Sequence, residues 1–258
     1  MKVVLFCGGL GMRLRDVSDS IPKPMVEIGY RPVLWHVMKY YAAFGHKDFI
    51  LCLGYKADVI KRYFADYQEW ISNDFKLSAR GGVELLAEDL DDWNITFVDT
   101  GYDATIGERL RRVRGHLEGE EMFLANYSDN LTDFHLPDLV GRMEASDAVA
   151  GFISVPPPTS FHISRAGDDG IVREIVESRD ADIWINGGYF ALRQEIFEVL
   201  HEGEELVVEP FARLIEQRRL LSIQHTGFWQ NMDTFKDHVL LNELNAQDRA
   251  PWKVWRGR

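Results

Sequence analysis

The chain has little to staple it together. Its only two cysteines, Cys7 and Cys52, each sit inside an apolar run, VVLFC and FILCLGY. That placement argues against a disulfide scaffold and for two buried, reduced thiols in a cytoplasmic protein. Their spacing alone builds no metal site. Positive charge is also scarce, with 29 basic against 41 acidic residues and a net charge of -12. Non-specific nucleic-acid binding needs a basic face and is disfavoured, but a nucleotide held by a few local contacts is not. No apolar run is long. The first, residues 2–7, is too short for a signal peptide or a membrane span, so no membrane partner is expected. Internal repeats, low-complexity stretches and Gly/Ser linkers are missing too, which favours one domain over residues 1–258.

What is present is alternation. Lys2–Cys7, Asp48–Leu53, Asn94–Asp99, Met122–Ala125 and Ala148–Val155 read as buried strands. Val33–Phe44, Asp58–Phe64 and Ile106–His116 read as helices between them. Strands alternating with helices predict an α/β fold with a mostly parallel sheet. After Pro156-Pro157-Pro158 the character changes. Ser160–Ile175, with AGDDG at its middle, predicts a hairpin, and Ile183–Leu192 a strand kinked at Gly-Gly. Two helices (Glu195–Leu200, Val208–Gln217), a strand (Leu220–His225) and a last helix (Thr234–Asn245) follow. This suggests a β-rich lobe added to the C-terminal part, with residues 1–155 and 156–258 as the two halves of one domain.

The first strand runs into GGLGMRLRDVSDSIPKPM. Ligands in open α/β sheets sit beyond the carboxyl ends of strands, where Gly8, Gly9 and Gly11 fall. The stretch is neither GxxxxGK[ST] nor GxGxxG. On the glycines alone, a tight turn with a solvated Arg13 is as good a reading as a phosphate cradle. Lys23, stiffened between Pro22 and Pro24, favours a fixed contact to an anion.

GGLGMRL followed by PKPM and VEIGYRPVLWHVM resembles the signature of the sugar-phosphate nucleotidyltransferases. The resemblance covers the whole chain, through DFILCLGYKADVIKRYF, NITFVDTG, GERLRRVRGHL, INGGYFAL, GFWQNMDT and APWKVW. It is strongest to the branch that uses CTP and glucose 1-phosphate. It implies a Rossmann-like mixed sheet with a small sugar-binding lobe. The implied reaction joins a nucleoside triphosphate to a sugar 1-phosphate, giving a nucleotide sugar and pyrophosphate. The attacking phosphate oxygen is already ionised, so the site needs positioning and charge neutralisation rather than a general base.

By resemblance, the amides of Gly8, Gly9 and Gly11 cradle the nucleotide. Arg13 grips its outer phosphates and Lys23 its α-phosphate, and these two carry the catalysis. Thr100 and Arg109 lie near the base, and Arg111, Arg112 and Arg114 are left to solvent. Glu177, Asn186 and Gly187 meet the sugar. Asp129 of YSDN and Asp233 of QNMDT bind one Mg²⁺; without the resemblance, either could equally be a turn or N-cap residue. A homo-oligomer is expected, with Trp70, Trp93, Trp252 and Trp255 as candidate surface aromatics, each of them equally readable as a core residue. His36 reads as packed, and His225 as a candidate for the sugar pocket.

Three departures stand out. Met12 occupies a usual threonine position. Ser128 and Asn130 replace glycines beside the metal aspartate. Ser178 stands where a lysine usually holds the sugar phosphate, leaving Arg179 as the nearest substitute cation or as a solvated loop residue. The nucleotide side is thus conventional and the sugar side altered. UTP, dTTP or GTP with an unusual sugar phosphate, or a silent regulatory subunit, are the competing readings.

Overall fold

The computed structural model describes residues 1–9, 21–79, 81–88, 90, 92–158 and 162–255, without the side chain of Arg179. Strand β1 (Lys2–Phe6) is followed by a 3₁₀ turn at Lys23–Met25 and the small hairpin β2 (Glu27–Ile28) and β3 (Arg31–Pro32). Helix α1 (Val33–Ala43), β4 (Asp48–Leu53), α2 (Ala57–Ala65) and α3 (Glu69–Ser72) come next. The hairpin β5 (Phe75–Leu77) and β6 (Val83–Leu85) leads to β7 (Asn94–Asp99), α4 (Ile106–Arg112), β8 (Met122–Asn126), β9 (Asn130–Thr132) and α5 (Leu136–Glu144). Strands β10 (Ala150–Val155), β11 (His162–Ala166), β12 (Val172–Glu177) and β13 (Ile185–Arg193) follow. The remainder is α6 (Ile196–Val199), α7 (Glu209–Glu216), β14 (Leu220–Gln224), β15 (Trp229–Asn231) and α8 (Phe235–Ala246).

Seven strands form the central sheet in the order β14-β10-β13-β8-β1-β4-β7. Strand β1 pairs in parallel with both β4 and β8, and β4 with β7. Only β13 runs against its neighbours β8 and β10. The inner strands read as unbroken apolar runs because helices cover both faces. Val3, Leu5, Leu51 and Leu124 pack toward α1 and α8, whereas Val4, Phe6, Ile50 and Phe123 pack toward α4, α6 and α7.

The alternation read from the sequence therefore gives the sheet. Strands β10, β13 and β14 extend the same sheet, and β11–β12 forms a two-stranded hairpin apart from it. Helix α4 stops at Arg112 and continues as a 3₁₀ turn, Arg114–Leu117, rather than running to His116. Helix α5 was not legible beforehand, since Gly141 and Pro137 dilute an apolar face made by Leu136, Leu139 and Met143. Among the described residues no helix is long and apolar enough to cross a membrane.

Cys7 and Cys52 are buried, unpaired thiols. Trp252, a candidate surface aromatic, is instead a core residue at 1% exposure. Its indole N–H donates to Nδ1 of His36 at 3.3 Å, while Nε2 of His36 donates to the Ile28 carbonyl at 3.1 Å. His36 is thus packed, as read from the sequence, and fixed as a neutral imidazole.

Burial pushes the His36 pKa down from 6.5 to about 4. The unfolded chain takes up that proton below pH 6.5, and the folded chain does so only near pH 4. Stability from this group is complete above the upper value and is lost as pH falls through the window. At 1.36 kcal/mol per unit the full loss is about 3 kcal/mol. Urea unfolding of His36→Gln between pH 7 and 4 should show a shallower acid decline than wild type. His46 shifts the same way through burial, so the difference between the two curves is the readout. Parallel curves would contradict the assignment.

Candidate active site

The pairing of two short strands assembles the site. In β9–β15, Asn130 stands opposite Asn231, and the Met232 amide donates to the Asp129 carbonyl at 3.0 Å. Asp129 and Asp233 therefore emerge side by side although they lie far apart in the chain. Lys23 reaches them from the 3₁₀ turn, where Pro24 and Met25 are buried and anchor the backbone. Its ammonium donates to Oδ2 of Asp129 at 2.5 Å and also to Oδ1 of Asp233. The other Asp233 oxygen accepts from Asn231 Nδ2 at 2.5 Å, and its amide donates to Asp237 at 3.2 Å. Asp237 also closes a capping box with Thr234 at the start of α8.

Charge explains the shifts. Burial opposes the Lys23 ammonium, but the two carboxylates overcome it and its pKa is raised. Burial raises the Asp129 pKa; Lys23 pulls it back and Asp233 adds to the rise. Two carboxylates converging on one cation in a half-buried cleft form a hard-oxygen donor set suited to a divalent ion. Among the described residues no third His, Cys, Asp or Glu joins them.

Ser128 has φ 67°, the left-handed region. This is why glycine is usual beside such an aspartate. The serine holds the conformation with two bonds: its Oγ donates to Phe6 O at 2.8 Å, and its amide to Asn126 Oδ1 at 2.7 Å. Asn130, the other departure, ties this loop to β13 through Nδ2 to Gly187 O at 3.3 Å.

A second cluster surrounds Arg109. Its Nη1 donates to Leu53 O, Thr100 Oγ1 and Gly101 O at 3.2, 2.9 and 2.9 Å. Its Nη2 donates to Gly8 O and Tyr102 O at 3.0 and 3.3 Å. One guanidinium thus joins the carboxyl ends of β1, β4 and β7, and burial lowers its pKa. Gly8 is glycine for the same reason, because a Cβ there would lie 2.0 Å from Nη1. Gly9 has open space around its α-carbon. Thr100 is buried, and its hydroxyl donates to Leu53 O at 2.8 Å. Arg112 is not merely solvated: it donates to Thr100 O at 2.6 Å.

At the start of β13, Asn186 Nδ2 donates to the Tyr127 hydroxyl at 3.0 Å. Gly187 O accepts from the Trp229 indole at 2.8 Å. Glu177 lies half-buried at the end of β12, ahead of the buried Ser178. Gly11, Arg13 and the Arg179 side chain lie outside the described residues. His225 pairs with Asp133 at 2.9 Å, bracing the turn before Phe228. Tyr127, Asn231 and Asp237 were missed from the sequence. Thr234-x-x-Asp237 carried a readable capping signal, whereas Tyr127 and Asn231 had none.

Comparisons with known proteins identify the family and the fold. The chain matches the nucleotidyl transferase family over residues 2–247. It is 39% identical to the glucose-1-phosphate cytidylyltransferase of Salmonella typhimurium, over 99% of this chain and all of that protein. It is 38% identical to the enzyme of the same name from Salmonella typhi, over the same shares. The fold superposes on a UTP-bound UGPase from Acinetobacter baumannii with TM-score 0.70 at 17% identity, covering 96% of this chain and 93% of the other.

Arg109→Lys removes the planar fork and leaves buried carbonyls unpaired, which should cost roughly 2–3 kcal/mol of stability. Arg112→Lys, at a half-exposed position, should cost under about 1 kcal/mol. Equal losses in urea unfolding would contradict the clamp.

Proposed function

The chain belongs to the nucleotidyl transferase family, and from that premise we propose that it condenses CTP with a sugar 1-phosphate, glucose 1-phosphate foremost, to a CDP-sugar and pyrophosphate. The chain is an enzyme of nucleotidyl transfer. The observation that carries the reading is Lys23 held between Asp129 and Asp233 at the carboxyl edge of the sheet. Full-length similarity to two cytidylyltransferases supports the choice of base.

In this reading an ionised sugar-phosphate oxygen attacks the α-phosphorus in line. The bond from that phosphorus to the bridging oxygen of the β-phosphate breaks, and pyrophosphate leaves with the electron pair. No proton has to move, so no general base is required. Lys23, on its stiff Pro22–Pro24 segment, supplies a fixed positive charge to the α-phosphate, and Arg13 supplies one to the outer phosphates. Asp129 and Asp233 would hold the divalent ion, Mg²⁺ in this proposal, whose chemistry is to neutralise phosphate charge. Gly8, Gly9 and Gly11 allow close approach of the nucleotide. Thr100 and Arg109 shape the wall beside the base. Glu177, Asn186 and Gly187 border the sugar, with Arg179 as the cation for its phosphate.

Residues 1–155 form the nucleotide part of the single domain and 156–258 the sugar-phosphate part. A homo-oligomer in the cytoplasm completes the proposal. It is supported by exposed apolar side chains around α3 and the β5–β6 hairpin, where Trp70, Ile71, Leu77 and Val83 meet solvent.

Pyrophosphate release should be measured with CTP, UTP, dTTP and GTP against a panel of sugar 1-phosphates. CTP with glucose 1-phosphate is expected to give the highest kcat/KM, and EDTA to abolish it reversibly. Asp129→Asn and Asp233→Asn should each lower kcat by at least about 100-fold, the scale of losing a group that stabilises transition-state charge. A different preferred base would overturn the CTP assignment. No turnover with any pair would favour a silent binding subunit.

A further inference from the structure

A cleft of about 690 Å³ lies between α7 and the last strands of the sheet. Strand pairing sets out one wall. Asn186, Ser154 and Gln224 stand in a row across β13, β10 and β14, at the carboxyl ends of the two parallel strands. Phe152 and Ser222 pair one step further in, and Leu220 pairs with Ala150 beyond them. Residues paired across a sheet, and those two apart along a strand, share a face. Phe211 and Ile215 of α7 line the opposite wall, and Phe211 stacks on Phe152 with ring centroids 5.8 Å apart.

Polar groups are therefore at the mouth and apolar ones below. The mouth carries neutral groups: the amides of Asn186 and Gln224, and the Ser154 hydroxyl, which accepts from Ser222 Oγ at 3.0 Å. The depth is aromatic and aliphatic. Among the described residues no Asp or Glu lines the cleft, in a chain with 41 of them. Its one ionisable lining residue, Arg142, comes from α5 and is exposed. An ion carried to the floor would lose its water against apolar walls, whereas a neutral chain would not. From Gln224 to Leu220 the wall spans roughly 13 Å at the rise of a strand, deep enough for an extended acyl chain. The volume also falls among those of small-molecule sites.

Asn186 joins this cleft to the active site. Its Nδ2 donates to the hydroxyl of Tyr127, two residues before Asp129, at 3.0 Å. Its Oδ1 accepts from the Gly188 amide at 2.9 Å, which fixes the side chain as a shared partition. We propose that the cleft takes a neutral acyl chain carried by the sugar 1-phosphate, with the carbonyl of the chain at Asn186 and Gln224 and its methylenes between Phe152, Phe211 and Leu220. The inference rests on the reading that Asn186 borders the sugar. It adds a substrate class, sugar 1-phosphates that bear one medium-length acyl group. A bare hexose would leave the aromatic walls wet.

The probes are glucose 1-phosphates acylated at O6, or at N2 as the amino sugar, with butanoyl, hexanoyl and octanoyl groups. Their binding to the full chain is measured by calorimetry, which needs no turnover. In one of the two series Kd should fall about fourfold for each CH2 added. Ser222→Phe, which narrows the cleft beside Phe152, should flatten that series to within about twofold and leave the Kd of glucose 1-phosphate unchanged. Ser222→Ala should keep the wild-type slope. No slope in either series, or a full slope in Ser222→Phe, would overturn the proposal. If wild type shows no slope and Ser222→Phe changes mass by light scattering, the cleft is a contact between copies of the chain instead. The slope does not depend on the base, so a preference for UTP would overturn the CTP assignment and leave the cleft standing.

Discussion

Two like charges brought together in a half-buried cleft require a cation between them, and the site is organised around that requirement. Asp129 and Asp233 sit next to each other because Asn130 pairs with Asn231 across two short strands. Alone they would repel each other and destabilise the pairing that joins them. The Lys23 ammonium satisfies both. In the proposed reading a divalent ion and a phosphate enter together, which keeps the charges in balance. Stability of the resting site and the proposed affinity for a metal-bound polyanion then rest on one electrostatic constraint.

The rest of the architecture serves to hold three loops at one edge of the sheet. Parallel pairing of β1 with β4 and β8 puts their carboxyl ends together. Arg109 ties those loops together by donating to the carbonyls of Gly8, Leu53, Gly101 and Tyr102. The cost of burying that guanidinium is offset by the number of carbonyls it satisfies. A pocket wall held from beneath in this way keeps its shape without a ligand, which lowers the ordering cost of binding one.

Long apolar runs made the sheet legible in the sequence, because β1, β4 and β8 are buried on both faces and leave an unbroken signal. Lys23 and the two aspartates were singled out by resemblance, through PKPM, YSDN and QNMDT, and the structure brings the three together. What escaped was short or depended on tertiary context. Strands of two or three residues, such as β2, β3, β9 and β15, carry too little periodicity to register, yet β9–β15 is what joins the aspartates. Trp252 could be read as surface or core, and what decides for the core is His36, a partner 216 positions away. Ser128 read as a departure from the usual glycine. Its backbone keeps the glycine conformation, with the hydroxyl supplying a compensating bond.

The central claim is direct transfer between two substrates held at once around Lys23, Asp129 and Asp233, with no nucleotidyl group parked on the protein. Exchange of labelled pyrophosphate into CTP tests it most directly. The account predicts exchange when CDP-glucose is supplied, and none when the enzyme is given CTP and labelled pyrophosphate alone. Exchange in the absence of any sugar nucleotide or sugar phosphate would demonstrate a covalent nucleotidyl intermediate and contradict the account.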